Sequence, residues 1–278
     1  MGNISSPRLR GQRSYGQSSP NRRNNSNNKK GSGKLLNPNT FVKKAVEATV
    51  VKYAPTRSIS ELPVDSLIIK NLESKGYVTP TEIQDKTVDA ILDGRNVLGL
   101  AQTGTGKTGA FLIPLVHNLL QQKPMFQILI VSPTRELAMQ IDSEFKSITK
   151  GVNLSSVCLI GGTSVYRDLQ ALRRPSHVII GTPGRLADMV RQRALNLNKF
   201  STLVLDEFDR LLDMGFKHEI ERIVEGMVNR EQTILFSATE EKGQQQFISR
   251  ILDNPFEVRV HSGSASADTV EQDIVRVK

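Results

Sequence analysis

Residues Asn96–Thr108 read NVLGLAQTGTGKT, and this stretch decides the fold. NVLGLA is an apolar run of strand length, and Gly-Lys-Thr opens a helical period. Between them, Gly104 and Gly106 free the backbone so that successive N–H groups can wrap phosphate oxygens at a helix N-terminus. Lys107 brings a point charge to the β- and γ-phosphates of a nucleotide, and Thr108 a hydroxyl to Mg²⁺. Ala101, Gln102, Thr103 and Thr105 complete the loop. The strict phosphate-loop pattern has glycine where this chain has Ala101, but the strand–loop–helix context is intact.

Working outward, six further runs share the strand signature: QILIVSP, SSVCLIGG, HVIIGTP, TLVLDE, QTILFSA and PFEVRV. They are short, apolar and rich in β-branched residues, so they read as strands buried on both faces of a parallel sheet. Helical periods fill the gaps, for example Thr108–Gln121, Arg135–Lys150 and Phe216–Val228. Strand–helix alternation of this kind predicts a three-layer α/β domain. Ligands of such sheets sit at the carboxyl ends of the strands, where each polar signature here falls. No internal repeat is visible.

The run TLVLDEFDR supplies what a phosphate loop needs next. A second strand must deliver an acid toward Mg²⁺, and Asp206 emerges at the tip of this one. Glu207 is then placed to orient or deprotonate the attacking water, and Asp209 to hold another loop. In GYVTPTEIQ, Thr79, Pro80 and Glu82 fit N-cap, N1 and N3 of a helix. Gln84 lies in its first turns with an amide that matches the edge of adenine, and Tyr77 offers an aromatic face.

Composition bounds the rest. The chain has 278 residues, and no apolar stretch approaches the ~20 of a membrane span. Cys158 is the only cysteine, so no intrachain disulfide or cysteine metal cluster is available, and its apolar setting predicts a buried thiol. His117, His177, His218 and His261 have no metal-ligand spacing. The net charge is +9, of which +8 lies in residues 1–40, leaving +1 for the remainder. That segment is acid-free, nearly apolar-free and reads as a disordered basic tail, either a phosphate-binding tether or a solubilising leader. MGNISS fits the myristoylation pattern, which is short and common. The tail resembles a transit peptide in composition but lacks an apolar helical face. Residues 41–56 read as a short amphipathic helix or linker, with Phe41, Ala45, Thr49 and Tyr53 four apart.

The motifs together resemble the first RecA-like domain of a DEAD-box ATP-dependent RNA helicase, over about residues 57–278. GYVTPTEIQ resembles the Q motif and AQTGTGKT motif I as that family writes it, with alanine first. PTRELA (133–138) is similar to motif Ia, Gly161-Gly162 to the GG motif and TPGRL (182–186) to motif Ib. DEFD stands at motif II and SAT (237–239) at motif III. The resemblance implies ATP and Mg²⁺ as cofactors, with Gln84 reading adenine and Tyr77 touching the base. It implies sequence-tolerant RNA contacts from Pro133, Thr134, Arg135, Gly161, Gly162, Thr182, Pro183, Gly184 and Arg185. It also implies that Ser237 and Thr239 hydrogen-bond Asp209 and Asp206, coupling nucleotide state to RNA grip.

Three departures stand out. Phe208 replaces the family's alanine in motif II; overpacking costs ~1–3 kcal/mol unless neighbours shrink, and accommodation is expected. Ile59 stands where the family places an aromatic near the adenine, so weaker adenine discrimination is expected. Nothing resembles the second RecA-like domain and its arginine fingers, so the chain reads as a fragment: a domain over 57–262, then a linker and the start of a missing domain over 263–278. The functional expectation is an RNA helicase's ATP-binding half, a monomer in the cytoplasm with no membrane partner. The alternatives are a non-enzymatic RNA- and ATP-binding fragment and a P-loop DNA translocase, against which the Q motif argues.

Overall fold

A computed structural model describes residues 53–122, 128–240 and 242–260. The tail over 1–40, nearly all of the amphipathic segment and the linker over 263–278 lie outside the described residues. The described residues fall in one compact unit, Ala48–Lys278.

All seven apolar runs are strands: β1 (Val97–Ala101), β2 (Ile128–Val131), β3 (Ser156–Leu159), β4 (Val178–Gly181), β5 (Thr202–Leu205), β6 (Gln232–Ser237) and β7 (Phe256–Val260). They form one sheet in the order β3-β4-β2-β5-β6-β1-β7. Every described pairing is parallel. Helices α1 (Ser66–Ser74), α2 (Glu82–Leu92), α3 (Lys107–Gln122), α4 (Arg135–Ile148) and α5 (Val165–Leu172) alternate with the first four strands. They are followed by α6 (Pro183–Arg191), α7 (Phe208–Asp213), α8 (Lys217–Gly226) and α9 (Lys242–Ile251).

Strand residues alternate between two cores, which is why the runs are apolar without a period. Ile128, Ile130, Val204, Ile234 and Phe236 join Ile83, Phe111 and Phe145 of α2, α3 and α4 on one face. Leu129, Leu203, Leu205 and Leu235 join Leu186, Leu211, Ile220 and Phe247 of α6 to α9 on the other. Gly99 of β1 is required by a close approach: a Cβ there would lie 2.2 Å from the Phe236 ring. That ring stacks at 5.9 Å on Phe111 of α3, which seats the helix that carries Lys107.

Burial on both faces fails at the sheet edges. In β3 only Val157 and Leu159 are fully buried, and in β7 only Val258. Cys158 is accordingly half-buried rather than buried, and burial pushes its thiol up to about 11.

The start of α2 also differs from expectation. Its N-cap is Thr81 and its N3 residue is Gln84, not Thr79 and Glu82. Both pairs have capping-box spacing, but Gln84 is held a second time, through the phosphate loop described below. The packed unit begins upstream of residue 57. Asp85 of α2 accepts bonds from the Tyr53 hydroxyl (2.5 Å), the Thr56 N–H (2.8 Å) and hydroxyl (2.7 Å), and Arg57 Nε (2.8 Å).

Candidate functional site

The loop after β1 has the backbone that its glycines predict, with φ of +82° at Gly104 and +93° at Gly106. Lys107 is the first residue of α3 and only 6% exposed. Its Nζ donates to the Ala101 carbonyl at 2.8 Å, folding the lysine over the loop. Thr105 closes the turn onto the Gln102 carbonyl at 2.8 Å. Gln102, Thr103 and Gly104 are exposed, and Thr108 is half-buried one residue into α3.

Gln84 is 3% exposed and occupied at both ends of its amide. Oε1 accepts the Thr81 N–H at 3.0 Å, and Nε2 donates to the Gly106 carbonyl at 3.1 Å. One lone pair of Oε1 and one N–H of Nε2 are therefore engaged inside the protein, bracing the phosphate loop against α2. A Cβ on Gly106 would meet Gln84 Nε2 at 2.7 Å and Thr81 Oγ1 at 2.8 Å, so glycine is needed there for contact as well as for φ. Tyr77 packs half-buried on the first core, with Lys75 Nζ 5.5 Å from its ring centroid. Ile59 is sealed inside that core and its N–H bonds the Val78 carbonyl.

Asp206 follows β5 at the centre of the sheet and is 2% exposed. Burial pushes its carboxyl up to about 6, and the Lys107 charge opposes that rise. Among the described residues its side chain accepts one bond, from the Glu207 N–H at 3.0 Å. The expected bonds from Ser237 and Thr239 to Asp206 are not made. Alternation along β5 puts Asp206 on the face of Val204, toward α3, whereas α7 carries Asp209 to the end of β6. There Asp209 Oδ2 accepts the Ala238 N–H (3.2 Å), the Thr239 N–H (3.1 Å) and the Thr239 hydroxyl (3.1 Å). Its own N–H donates to Ser237 Oγ at 3.3 Å, and Ser237 Oγ donates to the Thr239 carbonyl at 2.6 Å. Glu207 sits at φ +48°, a left-handed conformation that a non-glycine residue holds only when its surroundings impose it, as they do at functional sites. Arg210 Nη1 lies 3.2 Å from its carboxylate.

A groove of about 750 Å³ opens along the ends of β2, β3 and β4. Pro133, Thr134, Arg135, Gly161, Gly162, Thr182, Gly184 and Arg185 line it, so the structure brings together residues spread over half a hundred positions. Pro183 is buried behind them at the start of α6. Thr134 caps α4 by accepting the Leu137 N–H. Arg135 is exposed and lies against the glycine turn: a Cβ on Gly162, whose φ is +82°, would be 2.3 Å from Nη1.

Arg185 is held from behind by internal bonds at Nε and Nη2. It is 6% exposed; Nε donates to the Ile160 carbonyl at 2.9 Å, and Nη2 to the Thr163 carbonyl at 2.5 Å and hydroxyl at 3.2 Å. Nε also lies 3.2 Å from buried Asp168. The guanidinium fork clips α6 to the glycine turn and shapes the groove from behind. The groove is also lined by residues the motifs did not indicate: Met214, Phe216, Glu219 and Arg222, at the turn into α8 and along it.

Residues 81–247 match the DEAD/DEAH box helicase family. The chain belongs to that family. The matched span of this DEAD/DEAH box chain runs from the N-cap of α2 to Phe247 of α9 and takes in the loop, the acids and the groove. The chain is 37% identical over 232 residues to the probable ATP-dependent RNA helicase DDX46 of Homo sapiens, covering 81% of this chain and 22% of that protein. It is 37% identical over 218 residues to the ATP-dependent RNA helicase CshA of Listeria monocytogenes, covering 78% and 42%. The chain thus spans about a fifth to two-fifths of these relatives. A DEAD box protein from the hyperthermophile Methanococcus jannaschii superposes with a TM-score of 0.69 at 31% identity, over 73% of this chain and 55% of that one. No described helix is long and apolar enough to cross a membrane.

Proposed function

We propose that this DEAD/DEAH box chain is the ATP-binding half of an ATP-dependent RNA helicase, coupling ATP hydrolysis to RNA remodelling when paired with a second RecA-like domain. One observation carries the reading. A buried lysine at a phosphate loop and a buried carboxylate after a nearby strand, Lys107 and Asp206, lie at the carboxyl ends of the strands, as does an open groove. Ala101 to Thr108 would cradle the phosphates, with Lys107 on the β- and γ-groups. Glu207, next to Asp206 at the end of β5, would hold the attacking water.

The donor set fits Mg²⁺. Asp206 is a buried carboxylate with one hydrogen bond, and Thr108 adds a hydroxyl. No cluster of three ligating side chains occurs among the described residues, as suits an ion held by one carboxylate, waters and nucleotide phosphates. When bound, Mg²⁺ supplies neutralisation of the charge that develops on the phosphates.

Thr134, Arg135, Gly161, Gly162, Thr182 and Gly184 would hold an RNA backbone through hydroxyls, N–H groups and the Arg135 guanidinium. Asp209, tied to Ala238 and Thr239, would link the two sites. The chain would act as a monomer in the cytoplasm. A second domain would supply the arginine finger, whose absence costs roughly 10³–10⁵ in rate.

The test is ATP hydrolysis by the chain with and without single-stranded RNA, beside Mg-ATP binding, with Glu207→Gln as the blank. Binding plus slow RNA-stimulated turnover that vanishes in the blank supports the proposal. Absence of Mg-ATP binding, or turnover untouched by Glu207→Gln, rejects it.

A further inference from the structure

The wall of the groove formed by α8 is a chemical puzzle. Glu219 and Arg222 both line the groove, three residues apart and therefore on one helical face. Ile220 and Ile223, about a quarter turn round the helix from that pair, anchor α8 in the second core. Such a pair ordinarily forms a salt bridge. Here neither residue has an ion pair or hydrogen bond among the described residues, although Asp188 and Arg191 of α6, which also line the groove, do pair. An open carboxylate beside an open guanidinium suits neither a purely anionic ligand nor a cationic one.

We propose that Glu219 and Arg222 read one ribose–phosphate unit, Arg222 gripping a phosphate oxygen and Glu219 accepting the 2′-hydroxyl. This rests on the groove being the RNA track. A phosphate alone would be repelled by Glu219 about as much as Arg222 attracts it. A sugar with a 2′-hydroxyl offers the donor that the carboxylate needs, and DNA does not. The two side chains stand about 4.5 Å apart along the helix axis, so both reach a single nucleotide. Arg135, which lines the same groove and has no ion pair among the described residues, takes a neighbouring phosphate. The α8 wall thereby makes the groove select RNA over DNA without reading bases.

The test is fluorescence polarisation of the whole chain with single-stranded RNA and DNA of identical sequence, across a salt series. Residues 1–40 contribute alike to every variant. Arg222→Ala should weaken both ligands about three- to tenfold and reduce the salt slope by about 0.7, one single-strand phosphate contact. Glu219→Ala should weaken RNA while leaving or tightening DNA, lowering the RNA-over-DNA ratio at least threefold. Glu219→Gln, which keeps an acceptor oxygen, should retain most of that ratio. An unchanged ratio in Glu219→Ala, or an unchanged slope in Arg222→Ala, overturns the proposal. Arg135→Ala separates the failures. If it weakens RNA while the α8 variants do not, the α8 wall alone is wrong; if it too has no effect, the groove is not the track. Photo-crosslinking of 4-thiouridine RNA to the unaltered chain gives a check free of folding effects. Adducts within residues 214–222 are expected, and adducts only elsewhere reject the assignment.

Discussion

The ring of Phe208 lies 5.7 Å from that of Phe247, tilted by 30°, and Phe208 is wholly buried. The side chain that departs from the family's alanine is thus a member of the second core, with α9 built to receive it. The expected accommodation is achieved by a partner ring, on the face away from Asp206 and Lys107. Phe208→Ala should therefore leave a cavity and destabilise by about 3–5 kcal/mol. In a domain of this size that lowers Tm by roughly 6–20 °C. Calorimetry gives the shift. ATP turnover should not rise, and a tenfold gain in Phe208→Ala would show that the ring strains the acidic loop.

Asp85 governs stability at both ends of the pH scale. Burial alone would raise its carboxyl, but the Tyr53 hydroxyl, the Thr56 N–H and hydroxyl and the Arg57 guanidinium together hold it well below the usual range. A depressed carboxylate contributes fully above about pH 4, and that contribution is lost as pH falls through the folded value. Burial and the Asp85 bond push Tyr53 up to about 12. Its share is complete below about pH 10 and is lost as pH rises toward 12. Asp85→Asn should cost roughly 1.5–3 kcal/mol at neutral pH and flatten both limbs. Urea melts from pH 3 to 11 check this; unchanged limbs would mean the cluster is not formed in solution.

Much of this was legible because strand and loop signatures are local. NVLGLA and TLVLD needed only length and apolarity to be placed, and Gly104 and Gly106 had to adopt positive φ or close approach. What stayed hidden is what depends on where a side chain turns. Gln84 and Arg185 sit at motif positions, yet both make internal hydrogen bonds, and no spacing in the sequence distinguishes a brace from a ligand contact. The edge positions of β3 and β7 depend on sheet order, which strand-length runs do not carry. Glu219 and Arg222 look like any helical pair until the fold brings them into one groove with the glycine turn.

Arg185 should behave as a positioning residue. Removing it leaves Asp168 buried without its charged partner and takes a donor from the Thr163 carbonyl, while the Ile160 carbonyl keeps the Thr163 hydroxyl. Arg185→Ala should cost about 3–5 kcal/mol, as breaking one side of a buried pair does. Arg185→Lys should rescue little, because a single ammonium cannot span the three acceptors. Arg185→Met combined with Asp168→Leu should recover most of the loss, since neither charge then remains buried. Denaturant midpoints report all three. Full stability in Arg185→Ala with weakened RNA binding would reassign the residue as a direct contact.

Gln84 gives the sharpest contrast between motif and geometry. If its amide read adenine, removing it would erase a preference for ATP over GTP. In this structure the amide joins the Thr81 N–H to the Gly106 carbonyl, and Ile59, at the position of the family's aromatic, is sealed in the core. The brace holds the loop residue just before Lys107, so its loss disturbs the phosphate contacts, which are common to all nucleotides. Gln84→Ala should weaken ATP and GTP by a similar factor, about tenfold, corresponding to a lost bond of about 1.4 kcal/mol. The unaltered chain should bind the two nucleotides within about tenfold of each other, since the base meets few polar readers. Titration with fluorescent ATP and GTP analogues measures both ratios. A strong ATP preference that collapses in Gln84→Ala would show that the amide leaves Gly106 and turns to the base when nucleotide binds.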